Sequence, residues 1–155
     1  MHSLIIMSLV VGMLEEVFPM SPSYSSLRPE LVCLLVIYWV TNLPQYMGVI
    51  YAWSVGLAQD VIAGGVWGGH AMALAIVAYI CLVSFQRIKN YSVWHQSLWV
   101  FILVGLHQVI VNWIQGLLGY RSDPFHVILS TTISAMFWPV LYIGVTRIRF
   151  IYRMQ

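Results

Sequence analysis

Few side chains in this sequence could carry chemistry, and they form no known catalytic pattern. Neither H-E-x-x-H nor G-x-S-x-G occurs, so the spacing supplies neither a zinc-hydrolase ligand set nor an activated serine. Four histidines lie in or near the apolar runs: His70, His95, His107 and His126. No two of them are spaced i, i+3 or i, i+4. Cys33 and Cys81 both lie in apolar runs, where a thiol acts as a small hydrophobe. The sequence therefore favours a protein that is not an enzyme and needs no metal or other cofactor.

The sharpest local pattern is a four-residue repeat of small residues that includes one acid. Its members are Gly48, Ala52, Gly56, Asp60 and Gly64. On a helix this spacing places them on one slowly drifting face. Small residues on such a face let another helix approach closely in lipid. The face could pack within the protein's own helices, receive a partner's helix or contact a ligand, and the spacing alone leaves all three open.

Asp60 is the only acid between Glu30 and Asp123. An ionised carboxylate is costly in a membrane and usually faces the protein interior or water. The glycine-rich stretch 64–69 follows Asp60 closely, which places the carboxylate near a helix end. Two interpretations follow: an anchor that satisfies amides of the turn, or a polar contact that fixes the packing of this helix or engages a partner.

A polar stripe interrupts a later apolar run. Gln108, Asn112 and Gln115 are spaced i, i+4 and i+7, and His107 flanks them. Polar groups within a membrane need hydrogen-bonding partners. The stripe is therefore expected to bond to other helices, with a polar substrate pocket as the alternative.

The composition indicates which solvent surrounds these residues. Of the 155 residues, 61% are hydrophobic and 8% are charged, whereas soluble domains average about 45–50% apolar and about 25% charged residues. Twelve charged residues are too few to cover a water-exposed surface. These numbers exclude a soluble globular protein, a disordered chain and a nucleic-acid binder, and predict a protein embedded in membrane lipid.

The apolar runs predict an all-α membrane protein with six transmembrane helices in one domain, residues 1–155. The predicted helices are 2–18, 30–44, 47–63, 69–86, 93–118 and 125–146. Pro44 divides a run of 29 uncharged residues into the second and third helices, because proline disrupts helical hydrogen bonding. A short basic loop is expected at 87–90, and Pro139 is expected to kink the last helix.

Cations are distributed unequally between the two sides that six helices define. One side has five: Arg87, Lys89, Arg147, Arg149 and Arg153. The other side has Arg28 and Arg121. The positive-inside rule then places both termini in the cytoplasm. A five-helix count, with residues 30–60 as one span, would move the N-terminus outside.

Several short motifs occur in an order that matches a known family. They are Arg28-Pro29-Glu30, Asn42-Leu43-Pro44, Gly56-Leu57-Ala58-Gln59-Asp60 and Trp67-Gly68-Gly69-His70. With these motifs, the stretch from Arg28 to about Gln115 resembles the MreD family of bacterial rod shape-determining proteins. Arg28, Pro29, Asn42, Pro44 and Gly68 are accordingly the family-like positions outside the small-residue repeat.

The resemblance implies a multi-pass protein of the bacterial inner membrane that serves as a non-enzymatic scaffold in cell elongation. It implies binding to MreC and, through it, action with MreB, RodA and a class B penicillin-binding protein. It also implies a bundle similar to the substrate-binding components of energy-coupling vitamin transporters. The alternative function is therefore a component of a small-molecule transporter, for which the polar stripe would supply the pocket.

Overall fold

Six helices make up the computed structural model, which describes residues 2–17, 28–64, 67–119 and 123–153 (only the backbone at 16 and 153). The helices are α1 (His2–Val17), α2 (Leu31–Asn42), α3 (Val49–Ala63), α4 (Gly69–Asn90), α5 (Val93–Leu117) and α6 (Pro124–Arg153). No strand occurs within these ranges. The predicted all-helical fold with six helices is confirmed.

The breaks between α2, α3 and α4 have clear causes in the sequence. A break at Pro44 was predicted, but α2 ends two residues earlier than the predicted 30–44, and Pro44 lies in the turn after it. Gly64 ends α3 with a φ of 62°, and Gly68 precedes α4 with a φ of 96°. Residues with a side chain rarely adopt such left-handed backbone, so glycine is needed at both positions.

Two further predicted boundaries were wrong, both at the basic ends of helices. The expected loop at 87–90 is the last turn of α4, and α6 continues seven residues past 146, to Arg153. Neither stretch contains glycine or proline, so nothing stops the helix there. The helix also continues through Pro139. Cations in a last turn interact favourably with the partial negative charge of the helix C-terminus.

Helix α2 lies at the centre of the bundle. Ten of its twelve residues are buried, and it packs against α1, α4, α5 and α6. A helix that is apolar on all sides is typical of such a fully enclosed position. Its twelve residues extend about 18 Å at 1.5 Å per residue, well short of a hydrocarbon core of about 30 Å.

The outer surface of the bundle is strongly apolar. Helices α4, α5 and α6 are each long and apolar enough to cross a membrane, whereas α1, α2 and α3 are shorter apolar helices. Large apolar side chains project outward from several helices, with Ile50 81% and Trp94 80% exposed. Such a surface is stable in lipid and would aggregate in water.

Two polar contacts in the C-terminal half of α2 join this helix to α6 and to α1. The Tyr38 hydroxyl lies 2.9 Å from the Thr146 hydroxyl on α6. The Trp39 indole donates to the Ser8 hydroxyl on α1 at 2.9 Å. These bonds satisfy polar atoms that lipid could not, so they fix α1 and α6 to the central helix.

Candidate functional site

The Asp60 carboxylate caps the N-terminus of α4. Its Oδ2 accepts hydrogen bonds from the backbone N–H of Gly68 at 2.8 Å and of Ala71 at 3.2 Å. Its Oδ1 accepts from the His70 N–H at 2.9 Å and lies 2.8 Å from His70 Nδ1. A helix N-terminus has unpaired donors and partial positive charge, and the buried carboxylate compensates both. Of the two interpretations of Asp60, this geometry supports the anchor.

The small-residue repeat faces α4 at its middle. A Cβ built at Gly56 would lie 2.4 Å from the Cα of Ala71, a distance no real contact allows. Ala52 is fully buried. Gly48 and Gly64, at the two ends of α3, have open space where a Cβ would be. Thus α4 already occupies the centre of this face, and packing within the protein's own bundle accounts for Gly56 but not for Gly48 and Gly64.

The polar stripe contributes one residue to the interior. Gln108 Nε2 donates to Glu30 Oε1 at 3.1 Å and to the Ser130 hydroxyl at 3.0 Å. Asn112 donates to the Gln108 carbonyl of its own helix, and Gln115 is half-buried. Gln108 therefore forms the predicted bonds to other helices, linking α5 to α6 and to the residue before α2.

Hydroxyl groups of α6 extend this network. Ser130 Oγ donates to the Arg28 carbonyl at 3.0 Å, and Ser134 Oγ accepts from the Glu30 N–H at 2.9 Å. The backbone before α2 is thus bonded to α6 at two points. The family-like Arg28 and Pro29 belong to this junction, and Pro29 accepts the Leu31 N–H through its carbonyl. At the opposite end of α2, Asn42 is the last helical residue and donates to the Tyr38 carbonyl, and Pro44 lies in the turn that follows.

His107 lies between the Asp60 cap and the Gln108 network. Its side chain is 1% exposed, its Nδ1 is 3.9 Å from Glu30 Oε2, and its ring centroid is 5.8 Å from that of His70. Neither ring nitrogen makes a hydrogen bond to a described residue. Four ionisable groups from four parts of the chain therefore meet within the bundle. Among the described residues, however, no His, Cys, Asp and Glu cluster has metal-binding geometry.

Sequence spacing could not find this cluster, because each member comes from a different segment. A search along one helix detects pairs at i, i+4 and misses pairs across helices. One signal was available: in antiparallel helices, the end of one lies beside the start of the next. That rule brings Asp60, late in α3, close to His70, early in α4.

In the part of the chain that the structure describes, two apolar grooves and a polar pocket open on the surface. The first groove, between α1 and α3, encloses about 310 Å³ and is lined by Ile6, Leu9, Val10, Met13, Tyr51, Ser54, Val55 and Ala58. The second, between α1 and α6 with α2 as its floor, encloses about 340 Å³. The pocket encloses about 370 Å³, and Glu15, Arg28, Glu30 and Ser130 are its polar lining residues.

The fold and these sites define an apolar, all-helical membrane protein whose buried polar groups join its own helices. The family model described as rod shape-determining protein MreD matches residues 1–147. The chain belongs to the MreD family, and its role is therefore in determining rod shape. Rod shape-determining protein MreD of Haemophilus influenzae is 26% identical over 140 residues, which cover 90% of this chain and 86% of that protein. No solved structure matches.

Proposed function

We propose that this protein is a non-enzymatic scaffold that crosses the bacterial inner membrane six times and holds the transmembrane helix of MreC. The groove between α1 and α3 is the observation that carries this proposal. It is apolar and open to lipid, and Ser54 and Ala58, one helical turn apart, line its wall on α3.

The small residues of this groove allow a partner's helix to pack closely in it. Both Ser54 and Ala58 are exposed, and the Ser54 hydroxyl donates to the Ile50 carbonyl, so it needs no further partner. Helices in lipid associate through close packing and not through a hydrophobic drive. A partner's helix can therefore approach α3 here, whereas α4 covers the face that contains Gly56.

In this proposal both termini lie in the cytoplasm. The basic last turn of α4 and the basic end of α6 then lie on the cytoplasmic side, as the positive-inside rule requires. The junction around Glu30, Asp60 and Ser130 belongs to the opposite side. The helices α1, α2 and α3 are shorter than the hydrocarbon core is thick. They cross the membrane packed against the longer helices, where the bilayer is locally thinner.

Binding of MreC would connect the bundle to MreB, RodA and a class B penicillin-binding protein, and so to peptidoglycan synthesis. The rod-shape family supports partners within this system. The transporter alternative gains no support, because the matches are to rod shape-determining proteins and no solved structure matches.

Filling the groove tests the proposal. We expect Ala58→Leu to reduce MreC co-purification at least fivefold and to make rod-shaped cells round, because the larger side chain separates the two helices. Gly144→Leu is the matched control: a side chain there enters open space on α6. The proposal fails if Ala58→Leu retains MreC as well as the control does, or if both variants lose it equally.

A further inference from the structure

The second groove runs along α6 toward the end of the bundle where that helix finishes. The α6 residues that line it share one helical face, and they are Phe137, Leu141, Val145, Ile148 and Tyr152. The part from Leu141 to Tyr152 extends about 16 Å along the helix. The hydrocarbon of one leaflet is roughly 15 Å thick, so this part of the groove matches a lipid acyl chain in length.

Apolar side chains form the rest of the groove. Those contributed by α1 and α2 are Leu4, Met7, Val11, Leu31 and Leu35. Ser8 also lines the groove, but its hydroxyl is used within the bundle, where it donates to the Ile5 carbonyl and accepts from the Trp39 indole. The groove therefore suits an apolar chain, and a polar group on its occupant must lie at one of the two ends.

Positive charge is concentrated at the end of the bundle where α4 and α6 finish. Four cations of the described helices lie there: Arg87, Lys89, Arg147 and Arg149. All five acids of the sequence lie at or near the opposite end: Glu15, Glu16, Glu30, Asp60 and Asp123. Within the described segments, no acidic residue is thus placed to pair with these cations, and the basic end attracts anions.

Arg149 lies beside the groove at this basic end. It follows Val145 by four residues and precedes Tyr152 by three, so it is a neighbour of both groove residues on the surface of α6. Its half-buried side chain lies within electrostatic reach of Tyr38 on α2, the helix that forms the floor of the groove. A neutral hydroxyl does not compensate a positive charge. The Arg149 guanidinium can therefore bind a phosphate at the end of the groove through paired hydrogen bonds.

We propose that the second groove and Arg149 bind a phospholipid with a net negative headgroup. One acyl chain lies in the groove, and the phosphate accepts hydrogen bonds from the Arg149 guanidinium. An ethanolamine or choline headgroup adds an ammonium group, which would meet cations and no carboxylate at this end. The site lies on the opposite face of α1 from the groove assigned to MreC, so the two proposals can fail separately.

Headgroup preference of the unaltered protein is the first measurement. The full chain, purified in mild detergent, is titrated with phosphatidylglycerol, phosphatidylethanolamine and phosphatidylcholine of identical acyl chains, and bound lipid is counted by native mass spectrometry. We expect phosphatidylglycerol to bind at least fivefold more tightly than either zwitterionic lipid. Equal binding of the three lipids, or tighter binding of a zwitterionic one, would overturn the proposal.

A pair of arginine variants locates the headgroup. Arg149→Gln removes the guanidinium beside the groove, whereas Arg87→Gln removes one from α4, at the same end of the bundle but outside the groove. We expect Arg149→Gln to lower phosphatidylglycerol binding at least fivefold and Arg87→Gln to stay within twofold of the unaltered protein. An equal loss in the two variants would show a diffuse attraction to the basic end and would refute the proposed site.

Two neighbouring positions on α6 locate the acyl chain. Val145→Trp fills the groove, whereas Gly144→Trp adds the same ring to open space. We expect Val145→Trp to lower phosphatidylglycerol binding at least fivefold and Gly144→Trp to change it less than twofold. Equal binding by the two Trp variants, or a crosslink to MreC from a photoreactive residue at position 145, would show that the groove does not hold the lipid.

Discussion

At the scale of single residues, Asp60 shows how this bundle retains a charge in an apolar interior. The carboxylate is 1% exposed and is compensated by three backbone N–H groups and one histidine. An isolated charge in such surroundings would be strongly destabilising. The carboxylate thus stabilises the start of α4 and fixes its position against α3.

Neutralising Asp60 should weaken the fold measurably. We expect Asp60→Asn to lower the free energy of unfolding in detergent by about 1.5–3 kcal/mol, because the amide loses the charge and one acceptor. Asp123→Asn is the matched control: its side chain is 82% exposed, and the expected change is below about 0.5 kcal/mol. Equal thermal unfolding of the two variants would contradict the role assigned to Asp60.

Sequence reasoning reached part of this residue-scale structure. It identified Asp60 because a lone acid in a long apolar run is conspicuous, and it named an anchor near the turn as one interpretation. The neighbourhood of His107 was missed, since Glu30, His70 and His107 are far apart in sequence. Their meeting is set by helix packing, which no local spacing encodes.

At the scale of helices, α3 and α4 approach each other closely at Gly56. Gly56 lies against the backbone of Ala71. Without a side chain at position 56 the two helices pack closely, which is a main source of helix association in lipid. The same approach brings the Asp60 carboxylate within reach of the α4 amides.

A single methyl group should therefore disturb this pair. We expect Gly56→Ala to destabilise the protein by about 1–3 kcal/mol, because the backbone of α4 must move away. Gly116→Ala, which adds the same methyl to open space on α5, should be neutral or stabilising by up to about 1 kcal/mol. Thermal unfolding in detergent compares them, and an equal effect would show that the approach at Gly56 is not needed.

Helix positions were largely predictable because glycine and proline mark the breaks. Pro44 and the glycines around 64–69 divided the chain correctly. The predicted ends of α4 and α6 are too early, because basic residues are typical of a loop or tail but also suit a helix C-terminus. The uniformly apolar sequence of α2 indicates that this helix is buried. Which helices surround α2 depends on the three-dimensional packing and cannot be predicted from its own sequence.

At the scale of the whole molecule, the six-span orientation predicts two accessible sides. In spheroplasts, a membrane-impermeant maleimide should label Asp123→Cys, in the connection between α5 and α6, and should reach Ser92→Cys, between α4 and α5, only after the membrane is opened. The native Cys33 and Cys81 are buried and should give little background. Labelling of Ser92→Cys on intact spheroplasts would invert the proposed topology.

The central claim is that the groove between α1 and α3 receives a helix of MreC. Photocrosslinking in growing cells tests it most directly. A photoreactive residue replaces Ala58 in that groove. The control replaces Met136, which is 75% exposed on α6. The account predicts a crosslink to MreC from position 58 and none from position 136. No MreC crosslink at 58, or equal crosslinks at both positions, would contradict it.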